Sequence, residues 1–409
     1  MGDNSVSILS GIRVIDCGTY ILAPAAATIM SDFGAEVVKV EAPGIGDPHR
    51  YLHTIVPMPA SNIDYCWQLE ARNKKSIVVD LKKPAGREML LKLVKGADVF
   101  ITNFPASVVA ELRIDDSDLR PLNERLVYAH ASGYGEKGPD VEQPGYDMTA
   151  WWARSGLMDL IRQGHYEPTL SVGGMGDHPS STAMFGAIML ALYQRERTGR
   201  GDKVFTSLMA NGIWSNACFV SAALSGAQPY TYPSRAQSPN ALVNHYATRD
   251  GKRFILCGIR GDKDWINVCK SIGREDLIAN ERYSTREKRY ANSVEIAKIF
   301  DEAFIKKDLA EWRDIFRAQD VTCSPVTQYL DLPNDPAVKA NDVIIEFDHP
   351  DHGRVRSVNS PMFVEGGPKV PPKRAPKLGE HSVEVAKSLG YSEAAITELV
   401  SSGVLHLAK

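Results

Sequence analysis

Short β-rich runs at residues 13–17, 36–41, 76–81, 99–102 and 126–131 alternate with helical stretches such as 25–33 and 85–95. Parallel strands cannot be joined by tight turns; each needs a long crossover, usually a helix, and the strands are then covered on both faces and read as short continuous apolar runs. The pattern therefore predicts an α/β protein whose large domain is a Rossmann-like, mainly parallel sheet with ligands at the carboxyl ends of the strands. After the first run the chain reads Gly18-Thr19-Tyr20-Ile21-Leu22-Ala23-Pro24. That is not GxGxxG, so the nicotinamide fingerprint is missing although the strand pattern fits.

Punctuation further along divides the chain. Gly199 and its basic neighbours end a helix and Val204 opens a strand, which closes the large domain at 1–205. Residues 206–244, rich in Pro, Ser, Asn and Gln from 226 onward, read as a linker. A hairpin turning at Asp250-Gly251 then opens a smaller α+β domain at 245–330, with amphipathic helices at 263–272, 286–305 and 309–318 and a strand at 321–326. Residues 331–377, with Gly366-Gly367-Pro368 and Pro371-Pro372, read as an extended linker. The segment 378–409 resumes a helical pattern around Gly390 and is expected to return to the large domain.

Composition removes several function classes. With 44% apolar and 24% charged residues, 409 residues suffice for two or three packed domains. The net charge of −3, with both signs interspersed, offers no basic field for a nucleic acid. Six cysteines without a CxxC pair read as reduced thiols, mostly in the core, rather than as a zinc module or a disulfide framework. The N-terminus lacks a secretory pattern and the apolar runs 183–193 and 212–224 fall short of the roughly 20 residues that span a bilayer, so a cytoplasmic protein without membrane association is expected. His349 and His352, in His-Pro-Asp-His, read as a solvated turn, and no metal is assigned.

One octapeptide carries candidate chemistry: Gly173-Gly174-Met175-Gly176-Asp177-His178-Pro179-Ser180, followed by an apolar helical run at 182–193. Glycines let a backbone approach a bound carbonyl closely, and free amides at a helix start favour a developing oxyanion. Asp177 could be a nucleophile there. Taken alone, the octapeptide favours an ordinary N-cap aspartate.

Several stretches in order tip that balance: Gly11-Ile12-Arg13-Val14-Ile15-Asp16, the run 33–41, Gly46-Asp47-Pro48-His49-Arg50, Arg72-Asn73-Lys74-Lys75-Ser76, Ala97-Asp98-Val99, Asn103-Phe104, Gly133-Tyr134-Gly135, the Asp177 loop, Thr198-Gly199-Arg200-Gly201 and Leu378-Gly379-Glu380-His381. Together they resemble the class III (CaiB/BaiF) coenzyme A transferases. Tyr134-Gly135-Glu136, Gly145-Tyr146-Asp147 and Gly176-Asp177-His178 are most similar to the members acting on (R)-2-hydroxy acids such as phenyllactate, with benzylsuccinate-type transferases close by.

The resemblance implies an acyl-CoA and a free carboxylic acid as substrates, no tightly bound cofactor, and coenzyme A present only as part of the substrate. It implies an interlocked dimer, of this chain or with a homologue, and an active site at the subunit interface. It assigns catalysis to Asp177 through a mixed anhydride and an aspartyl-CoA thioester, and substrate contacts to Tyr134, Tyr146, Trp151 and Trp152; paired tryptophans in a helical stretch fit a core equally well. It places coenzyme A against Ile21, Leu22, Val79, Asn103 and Phe104, with Arg50 and Lys82 near its phosphates. The chain departs from the pattern at Ala42 and Glu111, where some members carry arginines, with Arg113 nearby, and at Gly258-Ile259-Arg260-Gly261, a partial counterpart of a glycine lid. Two rivals share the fold. An α-methylacyl-CoA racemase carries histidine where this chain has Tyr146, and a non-catalytic subunit would be free to lose Asp177.

Overall fold

The computed structural model describes residues 7–164 and 166–408. By its internal contacts the chain divides into two units, one formed by the residues up to Asp159, Leu170–Ala227 and Ala337 onward, the other by Leu160–Thr169 and Gln228–Pro336.

In the first unit, strands β1 (Arg13–Asp16), β2 (Glu36–Glu41), β3 (Lys75–Val79), β4 (Val99–Thr102), β5 (Val127–Ser132) and β6 (Lys203–Ser207) are parallel to their neighbours in the order β3-β2-β1-β4-β5-β6. This is the doubly wound order, and the chain reverses direction across the sheet between β1 and β4, where a crevice opens at the carboxyl ends. Strands β1 to β5 are largely apolar and mostly buried, as parallel strands under helices should be, whereas the edge strand β6 is partly exposed, with Phe205 60% accessible. The helix Leu22–Asp32 is buried along its whole length. It is Ala-rich, the helices Tyr65–Ala71 and Asp177–Thr198 pack on it, and its polar groups are satisfied internally: Thr28 Oγ1 donates to the carbonyls of Pro24 and Glu70, and Arg72 forks onto Asp32 at 2.7 and 2.8 Å.

The C-terminal segment adds β12 (Leu405–His406) antiparallel to β3 at the sheet edge. The second unit holds the antiparallel strands β7 (Val243–Ala247), β8 (Arg253–Cys257) and β9 (Cys323–Pro325) around an aromatic core of Tyr246, Phe254, Phe300, Phe304 and Phe316.

Three expectations need correction. The stretch 206–244 is not simply a linker: Ser207 Oγ accepts from the Ala210 amide and starts the helix Leu208–Ser215, and a second helix follows at Ala217–Leu224. The stretch 331–377 contains a hairpin, β10 (Ile344–His349) with β11 (Gly353–Val358), in which Phe347 faces Val355 and both are buried. The predicted helix 286–305 breaks at Asn292, whose Nδ2 donates to the Lys288 and Arg282 carbonyls and caps the first half. All six cysteines are free, but only Cys17, Cys66 and Cys269 are buried. Among the described residues no helix is long and apolar enough to cross a membrane.

Candidate active site

The crevice between β1 and β4 is lined by the loop at residues 18–20, which long-range polar contacts clamp. Asn103, just beyond β4, accepts from the Thr19 amide and donates to the Thr19 carbonyl, both at 2.8 Å. Asp47 Oδ1 accepts from the Tyr20 amide at 3.0 Å, and Asp16 Oδ1 from the Gly18 amide at 3.2 Å. Beneath the loop lies a buried charge cluster: Lys39 reaches Asp47 at 2.8 Å and the Gly18 carbonyl at 2.5 Å, while Lys74 reaches Asp16 at 2.9 Å. A side chain at Gly18 would place its Cβ 2.8 Å from Ala23 and 3.0 Å from Asn103. Tyr20 itself sits at φ +60°, a left-handed conformation that costs an L-residue about 1 kcal/mol or more and persists only where surrounding bonds enforce it.

Asp177 is the first residue of the 22-residue helix Asp177–Thr198, whose N-cap is Gly176. The aspartate is therefore not spent as a cap, and its carboxylate makes no hydrogen bond among the described residues. Burial, then the neighbouring Asp147 carboxylate, push it up to about 7 against the pull of His178. Asp147 is buried, and its Oδ2 has no hydrogen-bond partner among the described residues. It opens a π-helical stretch, Asp147–Ala153, of the kind often found at functional sites.

The same stretch carries Trp151 and Trp152, stacked with centroids 6.0 Å apart and buried in the core at 6% and 4% exposure. The indole of Trp151 lies directly against Gly176: a Cβ there would stand 2.5 Å from Trp151 Cγ. Trp151 thus forms the floor under the turn that carries Asp177 rather than an open wall. Gly176→Ala should accordingly displace that floor, with a loss of about 1–3 kcal/mol in thermal unfolding and a larger proportional loss of turnover.

Tyr134 is half-buried with its ring edge 3.2 Å from a Cβ position on Gly145, at a point where Gly133 and Gly145 bring two backbones into contact. Tyr146 is 55% exposed and meets Tyr20 edge to face at 5.8 Å. Ile21 reaches the glycine turn, its Cδ1 3.4 Å from a Cβ position on Gly174, so the crevice loop and the Asp177 loop adjoin.

The expected coenzyme positions are less uniform. Leu22 and Val79 are buried, and Phe104 offers its carbonyl to His130 Nε2 at 3.0 Å. The Arg50 guanidinium is already committed: it forks onto Glu41 at 2.7 Å twice, donates to the Pro376 carbonyl and stacks on Trp67 at 3.8 Å. Exposed Lys82 pairs with Glu111 at 3.1 Å. Of the two cations, only Lys82 is free enough to turn toward a phosphate, because Arg50 braces the chain from β2 to the C-terminal segment. In the second unit, Gly258, Ile259 and Gly261 line a cavity of about 110 Å³ with Trp265, Arg286 and Tyr290.

Sequence reasoning passed over Tyr20, Glu70 and Asp147. Asp147 lay in a quoted motif; Tyr20 and Glu70 acquire meaning only through partners 27 and 108 residues away.

The profile of CoA-transferase family III matches residues 9–382. Cinnamoyl-CoA:phenyllactate CoA-transferase of Clostridium sporogenes is 32% identical over 400 residues, 97% of either chain. (R)-2-hydroxy-4-methylpentanoate CoA-transferase of Clostridioides difficile is 31% identical, spanning 97% of this chain and 99% of that one. The crystal structure of a CaiB/BaiF family protein from Brucella suis superposes with a TM-score of 0.80 at 26% identity, over 94% of this chain and 99% of that one. Since the match takes in both the crevice and the Asp177 turn, the chain belongs to CoA-transferase family III and is a CoA-transferase.

Proposed function

We propose that this enzyme moves coenzyme A from an acyl-CoA thioester to a free carboxylic acid through covalent intermediates on Asp177. The observation that carries the reading is the position of Asp177: first in its helix, uncapped, part-buried, and on a glycine turn beside the crevice loop. An Asp177 oxygen attacks the thioester carbonyl, the C–S bond breaks, and a mixed anhydride and CoA thiolate result. The thiolate attacks the aspartyl carbonyl, releases the first acid as its carboxylate and leaves CoA on Asp177. The acceptor carboxylate then attacks this thioester, and the expelled thiolate takes the acceptor's acyl group and frees Asp177. Every step exchanges one acyl bond for another, so neither a metal nor a resident cofactor is required.

The acyl group in this reading is bulky, an aryl or 2-hydroxy acid. The names of the two clostridial relatives support it, as do the rings of Tyr20, Tyr134 and Tyr146 near the crevice. The working form is a cytoplasmic homodimer, its two chains interlocked. The apolar helix Ala217–Leu224 has no buried residue, and Leu190, Tyr193 and Trp214 are each more than 60% exposed, a surface that a second copy would cover. Sedimentation should give twice the mass of one chain.

Hydroxylamine intercepts acyl anhydrides and thioesters. Activity should fall when acyl-CoA and hydroxylamine are present together, and neither alone should cause it. Exchange of the α-proton without such loss would favour racemisation instead. Because only the ionised carboxylate attacks, kcat/KM should drop about tenfold per pH unit below a midpoint near 7; a profile flat down to pH 5 would contradict it.

A further inference from the structure

The transfer chemistry makes no use of Glu70, a carboxylate buried on the helix Tyr65–Ala71, or of His178, the residue after Asp177. Their geometry is specific. His178 Nε2 lies 2.7 Å from Glu70 Oε1 and Nδ1 lies 2.9 Å from the Gly174 carbonyl. A carbonyl can only accept, and an ionised carboxylate can only accept, so both ring nitrogens must carry protons. With Glu70 ionised, these contacts make the imidazole a cation. The His178 amide also donates to the Gly174 carbonyl, at 3.1 Å, so the residue grips the glycine turn twice. A Cβ on Gly174, at φ +81°, would stand 2.9 Å from the imidazole Cε1, so this grip needs glycine.

We infer that His178, held doubly donating by buried Glu70 and the Gly174 carbonyl, is a positioning residue that keeps the adjacent Asp177 carboxylate ionised and fixes the turn presenting it. The inference rests on Asp177 being the nucleophile.

The charged surroundings agree. Facing His178 are Glu70 and Asp177; facing Glu70 are His49, Arg72 and Lys74 as well; facing Asp177 are also Asp147 and, more weakly, Glu70, both opposing its charge. The imidazole is 47% exposed, so burial opposes its charge only in part, and Glu70 holds His178 up at about 9. Burial likewise opposes the Glu70 charge, and His178 overcomes it, keeping that carboxyl below its ordinary range. Asp177 thus stands between a cation that favours its ionised form and the Asp147 carboxylate that opposes it. Transfer through a carboxylate needs such a balance: full pairing would blunt the nucleophile, and full burial beside Asp147 would leave it protonated at neutral pH.

The test is the rate at which Asp177 gains a CoA adduct after rapid mixing with cinnamoyl-CoA, read by quench and intact mass between pH 5.5 and 9.5. In the unsubstituted enzyme the rate should rise through a midpoint near 7. His178→Gln should move that midpoint up by about one unit, making the enzyme about fivefold slower at pH 7 and close to the parent at pH 9. Glu70→Gln, isosteric and so a check on folding, should move it in the same direction by less, because losing the His178 charge outweighs losing the weak direct opposition of Glu70, and Asp147→Asn should move it in the opposite one. A uniform loss across pH with no change of midpoint in both His178→Gln and Glu70→Gln would reduce the pair to a structural tie and overturn the inference while leaving Asp177 as nucleophile. Absence of an adduct in the unsubstituted enzyme at every pH would overturn both.

Discussion

Asp177→Asn should abolish transfer, by about 10⁴-fold or more, and at the same time make the fold more stable at pH 8. The first effect follows because an amide cannot form the anhydride. The second follows from proton linkage. In the folded chain the Asp177 carboxyl is pushed up to about 7, mainly by burial, from an ordinary value of 3.8. Between those two values the folded state keeps a proton that the unfolded chain has lost, so stability declines as pH rises from about 4 to about 7 and is level above that. The full shift would correspond to about 4 kcal/mol, and solvent access at this part-buried position reduces it to about 1–2 kcal/mol. Asparagine never ionises and escapes the decline. Melting temperatures of parent and variant should coincide near pH 4 and diverge by a few degrees at pH 8. Parallel curves would mean that the carboxylate is well solvated and that its environment is not tuned for the reaction.

Asp16→Ala should be among the most damaging substitutions in the chain, costing about 3–5 kcal/mol in denaturant unfolding. Asp16 is fully buried at the end of β1, and its carboxylate faces the ammonium groups of Lys74 at 2.9 Å and Lys39 at 3.4 Å, themselves fully buried. Removing it leaves two cations with only Asp47 as a carboxylate partner in hydrogen-bond reach. Burying an unpaired charge costs far more than a paired one contributes, so the loss exceeds that expected for an ordinary surface ion pair. The Gly18 amide also loses its acceptor, and the loop it anchors borders the crevice. Where Asp16→Asn retains enough structure to assay, KM for acyl-CoA should rise by more than kcat falls. A loss under about 1 kcal/mol for Asp16→Ala would show that water reaches the cluster and that it does not brace the loop.

Much of the large unit was legible because its signals are local. The apolar runs at 36–41 and 99–102 became β2 and β4 with those bounds, and the helix start after three glycines was visible at 177. The role of Asp177 within that start was not. Whether an aspartate caps a helix or stands first inside it turns on one residue's dihedral angles, and here Gly176 took the cap. Ser207 carried a cap signal that the polar composition of 226–244 obscured, so two helices were read as linker. The clamp on residues 18–20 was illegible for another reason: Asp47 and Asn103 become its partners only after β2 and β4 flank β1. Arg50 shows the converse. Its type suits a phosphate, yet Glu41, at the end of the neighbouring strand run, claims it at 2.7 Å.

The central claim is that Asp177 forms a covalent bond with the incoming thioester. Intact mass of the purified enzyme after brief exposure to cinnamoyl-CoA tests it directly. A single CoA-sized increment, mapped to the peptide containing Asp177, removed by hydroxylamine and absent from Asp177→Ala, is the predicted result. Transfer activity without any such increment, or an increment that survives in Asp177→Ala, would contradict the account.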